Sequence, residues 1–280
     1  MKTVAVIYMT LLILTLCGCQ KNDAGGTTTG NPLVGFTMTG SSGAATVALN
    51  KSINIFPLLQ SFLNKAVALP PPMLQDSVGT TISLNEAWIS VKQVEFKASE
   101  TVAVGEIDGD SVSFQDPTAV NLIASSPQFF GQVRINTTSL RRVKMQLHNV
   151  DVLPANAPLA LTNKSIYWKG SVSTRQFTFS TTEGYEYELA GPNGVPLAEN
   201  SNILLSIKIA SLFKKIDMTA VTDGADITKD TRVPATNPCP LINGSAVDIY
   251  TCFIDGLKTE SNLGRDDAND GELTGDAAIK

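Results

Sequence analysis

Histidine is almost missing from this chain: His148 is the only one in 280 residues. A single imidazole excludes a pair of histidine ligands. It also excludes the HExxH arrangement, which turns two histidines toward one zinc from successive turns of a helix. No GxSxG, Walker A or GxGxxG stretch stands before a helical pattern, so the nucleophile elbow and the common phosphate-cradling loops are absent as well. Charge is scarce at 17 %, with a net value of −5. Mild acidity of this kind argues against a nucleic-acid partner and against electrostatic docking on anionic lipid. No apolar run is long enough to span a bilayer core, which takes roughly 20 residues. The 43 % hydrophobic content is still ample for one sizeable core.

The N-terminus carries the clearest pattern. Lys2 gives a short positive region, Val4 to Leu16 an apolar run of signal-peptide length, and Gly18 a small residue before Cys19. Leu16-Cys17-Gly18-Cys19 resembles the lipobox of bacterial lipoproteins. That resemblance implies cleavage after residue 18 and a diacylglycerol thioether on Cys19, and two acyl chains anchor a protein stably to a membrane. Gln20, rather than Asp, after the cysteine favours the outer membrane where the host is Gram-negative. From Asn22 to Asn31 the chain is rich in Gly and Thr and reads as a flexible tether.

Two cysteines then remain, Cys239 and Cys252. In an oxidising export compartment they favour a disulfide, worth about 3 kcal/mol for a loop of this size. Free thiols are the plain alternative. A metal site would need two further ligands, and no CxxC pair supplies them.

Apolar residues alternate with polar ones along most of the chain. Val34 to Thr39 and Ala45 to Leu49 read as strands around a Gly40–Gly43 turn. Ser52 to Leu69 has helical spacing (Ile55, Leu58, Leu59, Phe62, Leu63, Val67) and stops at Pro70-Pro71-Pro72. From Thr81 the period is two. Ala87, Ile89 and Val91 share a face, and Val94 and Phe96 resume after a slip of one residue, which predicts a β-bulge near Lys92-Gln93. Further strands are expected over Ser111–Phe114, Ala119–Ile123, Val143–Leu147, Tyr185–Leu189 and the very apolar Ile203–Ile209. A hairpin is expected from Ser165 to Ser180 around Ser173-Thr174-Arg175. Asp223 to Pro240 reads as a long loop, Ala246 to Leu257 as a short helix, and Gly264 to Glu272 as a frayed acidic loop.

The fold class that follows is mostly β: an antiparallel β-sandwich of Ig-like or prealbumin-like type, with one N-terminal helical segment and a short C-terminal helix. The organisation reads as a signal peptide (1–18), a lipidated tether (19–32), a sandwich domain (33–216) and a loop-rich C-terminal extension (217–280).

Several strand patterns also carry a family resemblance: Leu84-Asn85-Glu86-Ala87-Trp88-Ile89-Ser90-Val91, Ala119-Val120-Asn121-Leu122-Ile123, Leu140 to Leu147, and Ile166-Tyr167-Trp168-Lys169-Gly170 with Phe177-Thr178-Phe179. Together they make the stretch from about Ile82 to Phe213 similar to the DUF4382-type β-sandwich of bacterial lipoproteins. The resemblance implies a periplasmic or surface domain and carries no reaction with it.

Candidate chemistry is thin. Trp88, Tyr167, Trp168, Tyr185 and Tyr187 offer an aromatic platform for a sugar or peptide, against core packing as the plain reading. Asp266 and Asp270 with Gly271 loosely echo a calcium loop, although Ala268 and Ala277 stand where an EF-hand places ligands. Asp108/Asp110 and Glu186/Glu188 are the carboxylate pairs that a glycan hydrolase would need. His148 falls on the wet face beside Lys144 and Gln146. The reading favoured by these residues is a non-catalytic binding or structural module of the cell envelope, held to membrane by its lipid, needing no cofactor unless calcium, and facing an envelope protein or glycan. The alternative is an envelope glycan hydrolase.

Overall fold

The computed structural model describes residues 32–41, 73–97, 112–114, 118–124, 126–135, 139–149, 152–154, 157–266 and 273. The expected signal peptide, Cys19, the 52–69 helical segment, Asp108, Asp110 and Asp270 lie outside them. In chain order the strands are β1 (Leu33–Ser41), β2 (Met73–Gln75), β3 (Thr81–Lys97), β4 (Val112–Phe114), β5 (Thr118–Asn121), β6 (Gln128–Arg134), β7 (Ser139–Leu147), β8 (Ile166–Val172), β9 (Arg175–Thr181), β10 (Tyr185–Pro196) and β11 (Ser201–Lys208). Helix α1 (Ile209–Phe213), strand β12 (Ala225–Ile227), helix α2 (Ile249–Thr259) and strand β13 (Ser261–Arg265) complete the described chain. The protein is therefore mostly β, as its alternation predicts.

The strands form two sheets, one of four strands in the order β13-β11-β1-β6 and one of nine built around β3. The pairing is not wholly antiparallel: β1 runs parallel to β11, and β12 parallel to β9. Nothing local in a strand's alternation encodes the direction of its partner, so the sequence pattern alone misses this. Phe36 of the small sheet meets Phe96 of the large one edge-on at 5.5 Å, and the two sheets share one apolar core.

Strand β3 organises the large sheet. Its pairing with β7 shifts register between Val91 and Gln93, where the broken alternation predicts a bulge. A second shift, between Leu84 and Glu86, leaves Asn85 exposed. The inward residues are thus Ile82 and Leu84, then Ala87, Ile89 and Val91, then Val94 and Phe96, all buried. Each bulge adds one residue and turns the next run back onto the core. Along one edge, β3 gives its first half to β8 and its second half to β7. Ser90 is the junction: its N–H donates to Ser165 O (2.7 Å) and its carbonyl accepts from His148 N (3.2 Å).

Gly40 departs from expectation. β1 continues through it to Ser41, with Gly40 opposite Ile207, and the rest of the expected Gly40–Gly43 turn and the Ala45–Leu49 strand lie outside the described residues. A Cβ at Gly40 would sit 2.0 Å from Leu122 O, so this glycine serves a close crossing of backbones. The expected β8–β9 hairpin is present, with Ser173 taking the positive φ (55°) of a two-residue loop.

The C-terminal part joins the same core. Helix α2 begins at Ile249 rather than Ala246. Asp248 caps it by accepting from Thr251 N at 2.7 Å, while Val247 O is held by Ala235 N in a separate pairing. Ile249, Phe253 and Leu257 are buried at the predicted helical spacing. The 223–240 stretch is loop-like except for β12, which adds three residues to the edge of β9. Gly264 and Arg265, expected in a frayed loop, are strand residues because β13 pairs along β11. Three- and five-residue strands are too short to show a period. Cys239 and Cys252 form the expected disulfide, with Cα atoms 5.9 Å apart.

Candidate functional site

The five candidate aromatic residues fall in three different places. Trp168 points inward from β8, fully buried among Phe179, Phe213 and Phe253 at 5.5–6.1 Å between ring centroids. It offers no stacking face to solvent. Tyr167 points the other way and pairs across strands with Trp88. These two lie under the β7–β8 connection in a small separate cluster with Ala119, Leu153 and Leu161. Lys164 Nζ stands 5.0 Å above the Tyr167 ring, and burial pushes the Tyr167 phenol up. Tyr185 and Tyr187 share the inward face of β10, Tyr187 buried and Tyr185 half-buried.

Tyr185 leads into a polar cluster that joins three parts of the chain. Its hydroxyl lies 2.6 Å from that of Tyr250 on α2 and donates to Glu183 Oε2 at 3.0 Å. Tyr250 also reaches Thr181 Oγ1 at 3.0 Å. Lys229 Nζ donates to Glu183 Oε1, and the Arg232 guanidinium stacks on the Tyr250 ring at 5.4 Å. Thr181, Glu183 and Tyr185 lie two residues apart, but Lys229 and Tyr250 join them from 46 and 65 residues away, so no spacing rule could have assembled the whole group. Tyr185 was within reach as a candidate aromatic, and Tyr250 one position after Ile249 on the predicted helix. The hydrogen bond from Lys229 holds the Glu183 carboxyl below its usual range, and Glu183 in turn raises Lys229. Burial, then the bond to Tyr250, pushes the Tyr185 phenol well above the ordinary tyrosine value. The Tyr185 phenol therefore stays protonated. The cluster pins the β9–β10 turn to α2 and the 228–232 loop.

The described carboxylates are mostly satisfied by neighbouring cations or backbone. Glu186 pairs with Lys144 at 2.9 Å and Glu188 with Arg142 at 3.2 Å, both across β7 and β10. The bond to Glu186 raises Lys144. Asp76 takes Val78 N and Thr80 N on Oδ1 and Met218 N on Oδ2, closing the turn before β3. Asp266 is buried beside Asn202, whose carbonyl accepts from Asp266 N at 2.9 Å. No group of three or more metal-ligating side chains occurs among the described residues. His148 is exposed, with Nδ1 2.7 Å from Asn149 O.

Glu260 is a buried carboxylate whose charge is held by a cation and a hydroxyl. Lys215 Nζ (2.6 Å) and Ser211 Oγ (2.5 Å) both donate to it. Burial is the largest single influence and pushes its pKa up, but the Lys215 and Ser211 bonds with the Lys215 charge outweigh it, so the net shift is downward. A lowered folded-state pKa means stability that is fully present above the unfolded value, about 4.3, and is lost as pH falls through the folded value. Glu260→Gln should therefore be less stable than the parent at pH 7, and the gap should close toward pH 3. Thermal melts at the two pH values check this; a gap of the same size at both would show that the carboxylate charge is not its source.

One open concavity of about 370 Å³ lies over Pro234, Ala235, Thr236, Asn237 and Val247, with Val247 and nearby Leu241 well exposed. It is shallow and holds no charged lining side chain. No helix of the described residues is long and apolar enough to cross a membrane. Compared with protein-family models, with curated proteins and with solved structures, the chain matches none.

Proposed function

We propose that this chain is an envelope lipoprotein whose β domain, a sandwich of DUF4382-like type, is a non-catalytic binding or structural module. Residues 1–18 direct export, Cys19 carries the lipid, and in a Gram-negative host the domain stands off the outer membrane on its tether. One observation carries the non-catalytic part: Glu186 and Glu188 each pair with a cation on one strand face instead of converging across a cleft. A retaining glycosidase needs two carboxyl groups about 5 Å apart flanking the substrate bond.

Two experiments test the proposal. Cys19→Ala should abolish acylation and release the domain to the soluble fraction. Continued membrane association after salt and carbonate washing would remove the lipid assignment. The purified domain should show no turnover of peptidoglycan or common glycans, whereas a turnover abolished by Glu186→Gln or Glu188→Gln would establish the hydrolase instead.

A further inference from the structure

We propose, resting on the envelope-lipoprotein reading above, that the end of the domain around the β9–β10 turn docks on the lipid surface that holds the anchor, inserting the side chains of Val152, Leu159, Leu241 and Val247. Leu159 (86 % exposed), Val152 (84 %), Leu241 (75 %) and Val247 (69 %) are the four most exposed large apolar side chains among the described residues. They are not scattered. Val152 and Leu159 stand on the β7–β8 connection, Leu241 and Val247 on the 233–247 loop, and both segments adjoin one turn. Ser165, which ends the first, donates from Oγ to Glu183 O at 2.5 Å and from N to Thr181 O at 2.9 Å. On the other side the Tyr250 hydroxyl lies 3.0 Å from Thr181 Oγ1, Ile249 N donates to Val233 O at 3.0 Å, and Ala235 N to Val247 O at 3.0 Å. Single exposed apolar residues are ordinary on a surface, whereas pairs on two neighbouring loops mark a contact face. Both loops are also firmly mounted. Leu153 and Leu161 pack with Trp88 and Tyr167 on the outward face of the large sheet, and the Cys239–Cys252 bridge ties the second loop to α2. Little ordering entropy is then lost on contact.

Charge and reach point to a bilayer as the occupant. Residues 233–247 carry no charge, and Lys164 is the one charge among the described residues of the β7–β8 connection, Asp151 lying outside them. The charged neighbours are paired, Glu183 with Lys229 and Asp248 with Arg232. Aliphatic tips with a lysine set over a tyrosine ring suit the water–bilayer boundary, where the ammonium stays at the headgroups while the tips enter the acyl region. A contact of a few side chains is weak alone and becomes effective when a lipid anchor supplies the second attachment. Cys19 precedes Leu33 by fourteen residues, a covalent length of at most about 50 Å. Leu33 lies just past the end of β10, its carbonyl accepting from Asn200 N. From that end β7 spans to Tyr185 at the turn in nine residues, about 30 Å.

The test uses the mature chain from Gln20 onward with a hexahistidine tag in place of Cys19. The tag holds it on vesicles of equal parts phosphatidylcholine and phosphatidylglycerol, doped with a nickel-chelating lipid. The remaining cysteines are tied in the disulfide, so Val152→Cys, Leu159→Cys, Leu241→Cys and Val247→Cys each take one polarity-sensitive fluorophore. Val78→Cys is the control: it is 58 % exposed but lies in the turn before β3, at the far end of β8. All four labels should shift to the blue on vesicles and be quenched by brominated acyl chains, and the Val78 label should do neither. Adding Leu159→Asp with Val247→Asp should abolish both effects at the Val152 and Leu241 labels. Equal shifts at all five positions, or none at any, overturn the proposal. So do shifts that appear without vesicles as the protein concentration rises, since a second copy then covers this face. The tag replaces the acyl chains, so failed docking is distinguishable from failed acylation, which the Cys19→Ala fractionation reads.

Discussion

Phe179→Ala is expected to cost about 3–5 kcal/mol of stability, and Met145→Ala about 2–5. Phe179 is fully buried, stacked on Phe253 at 4.5 Å and edge-on to Trp168 at 5.9 Å. It joins β9 to α2, and rings held by two separate elements cannot close fully over the space it leaves. The loss is then transfer energy plus a cavity. Met145 occupies the inward face of β7 between Val94 and Tyr187 and is 4 % exposed. Lys144 and Gln146 flank it on the outward face. Lys144→Ala removes only the partly exposed pair with Glu186, and such pairs contribute about 1 kcal/mol or less. Urea unfolding of these three variants and of Gln146→Ala measures the contrast. Equal costs on the two faces would mean that the alternation along β7 has been assigned to the wrong sides.

That contrast marks what local pattern can and cannot disclose. Alternation through Val143, Met145 and Leu147 identifies the buried face, because a pleated strand puts every second side chain on one side. The slip after Val91 is visible because two clean runs lie on either side of it. The slip at Asn85 is harder, since only Ile82 and Leu84 precede it. Partner identity is not local at all. Nothing in Leu33 to Ser41 announces that β11 lies beside it in parallel. Glu183 finds Lys229 across a sequence separation of 46, brought there by the turn after β9 and the loop after β12. The aromatic candidates show the same limit. Tyr167 and Trp168 are adjacent in sequence and point to opposite faces, so composition groups what the pleat separates.

Replacing both Cys239 and Cys252 by Ala should lower stability by about 3 kcal/mol and open the 233–247 loop to protease. The bridge closes a loop otherwise held by backbone bonds, the Asn243–Asp255 hydrogen bond and the burial of Ala246. Leu241 and Val247 face solvent, and the loop's own fastenings are mostly backbone bonds such as Asp217 N to Pro238 O and Ala235 N to Val247 O. Val233 holds a φ of 53°, a conformation that strains a β-branched side chain and persists only where its surroundings fix it. Ile249 N supplies part of that fixing from the first residue of α2, donating to Val233 O at 3.0 Å, and α2 is itself secured by Phe253 in the aromatic core. Without the bridge, α2 should stay in place while the loop around Cys239 gains freedom. The unfolded chain gains entropy at the same time, and both changes favour opening. Limited proteolysis should therefore cut the double variant between residues 233 and 247 well before the parent, while β3 and β8 remain protected. A variant within 1 kcal/mol of the parent, with an equally resistant loop, would show that the backbone bonds hold this segment unaided. The same logic links the bridge to export: chain retained in a reducing compartment should behave like the double variant, and exported chain like the parent.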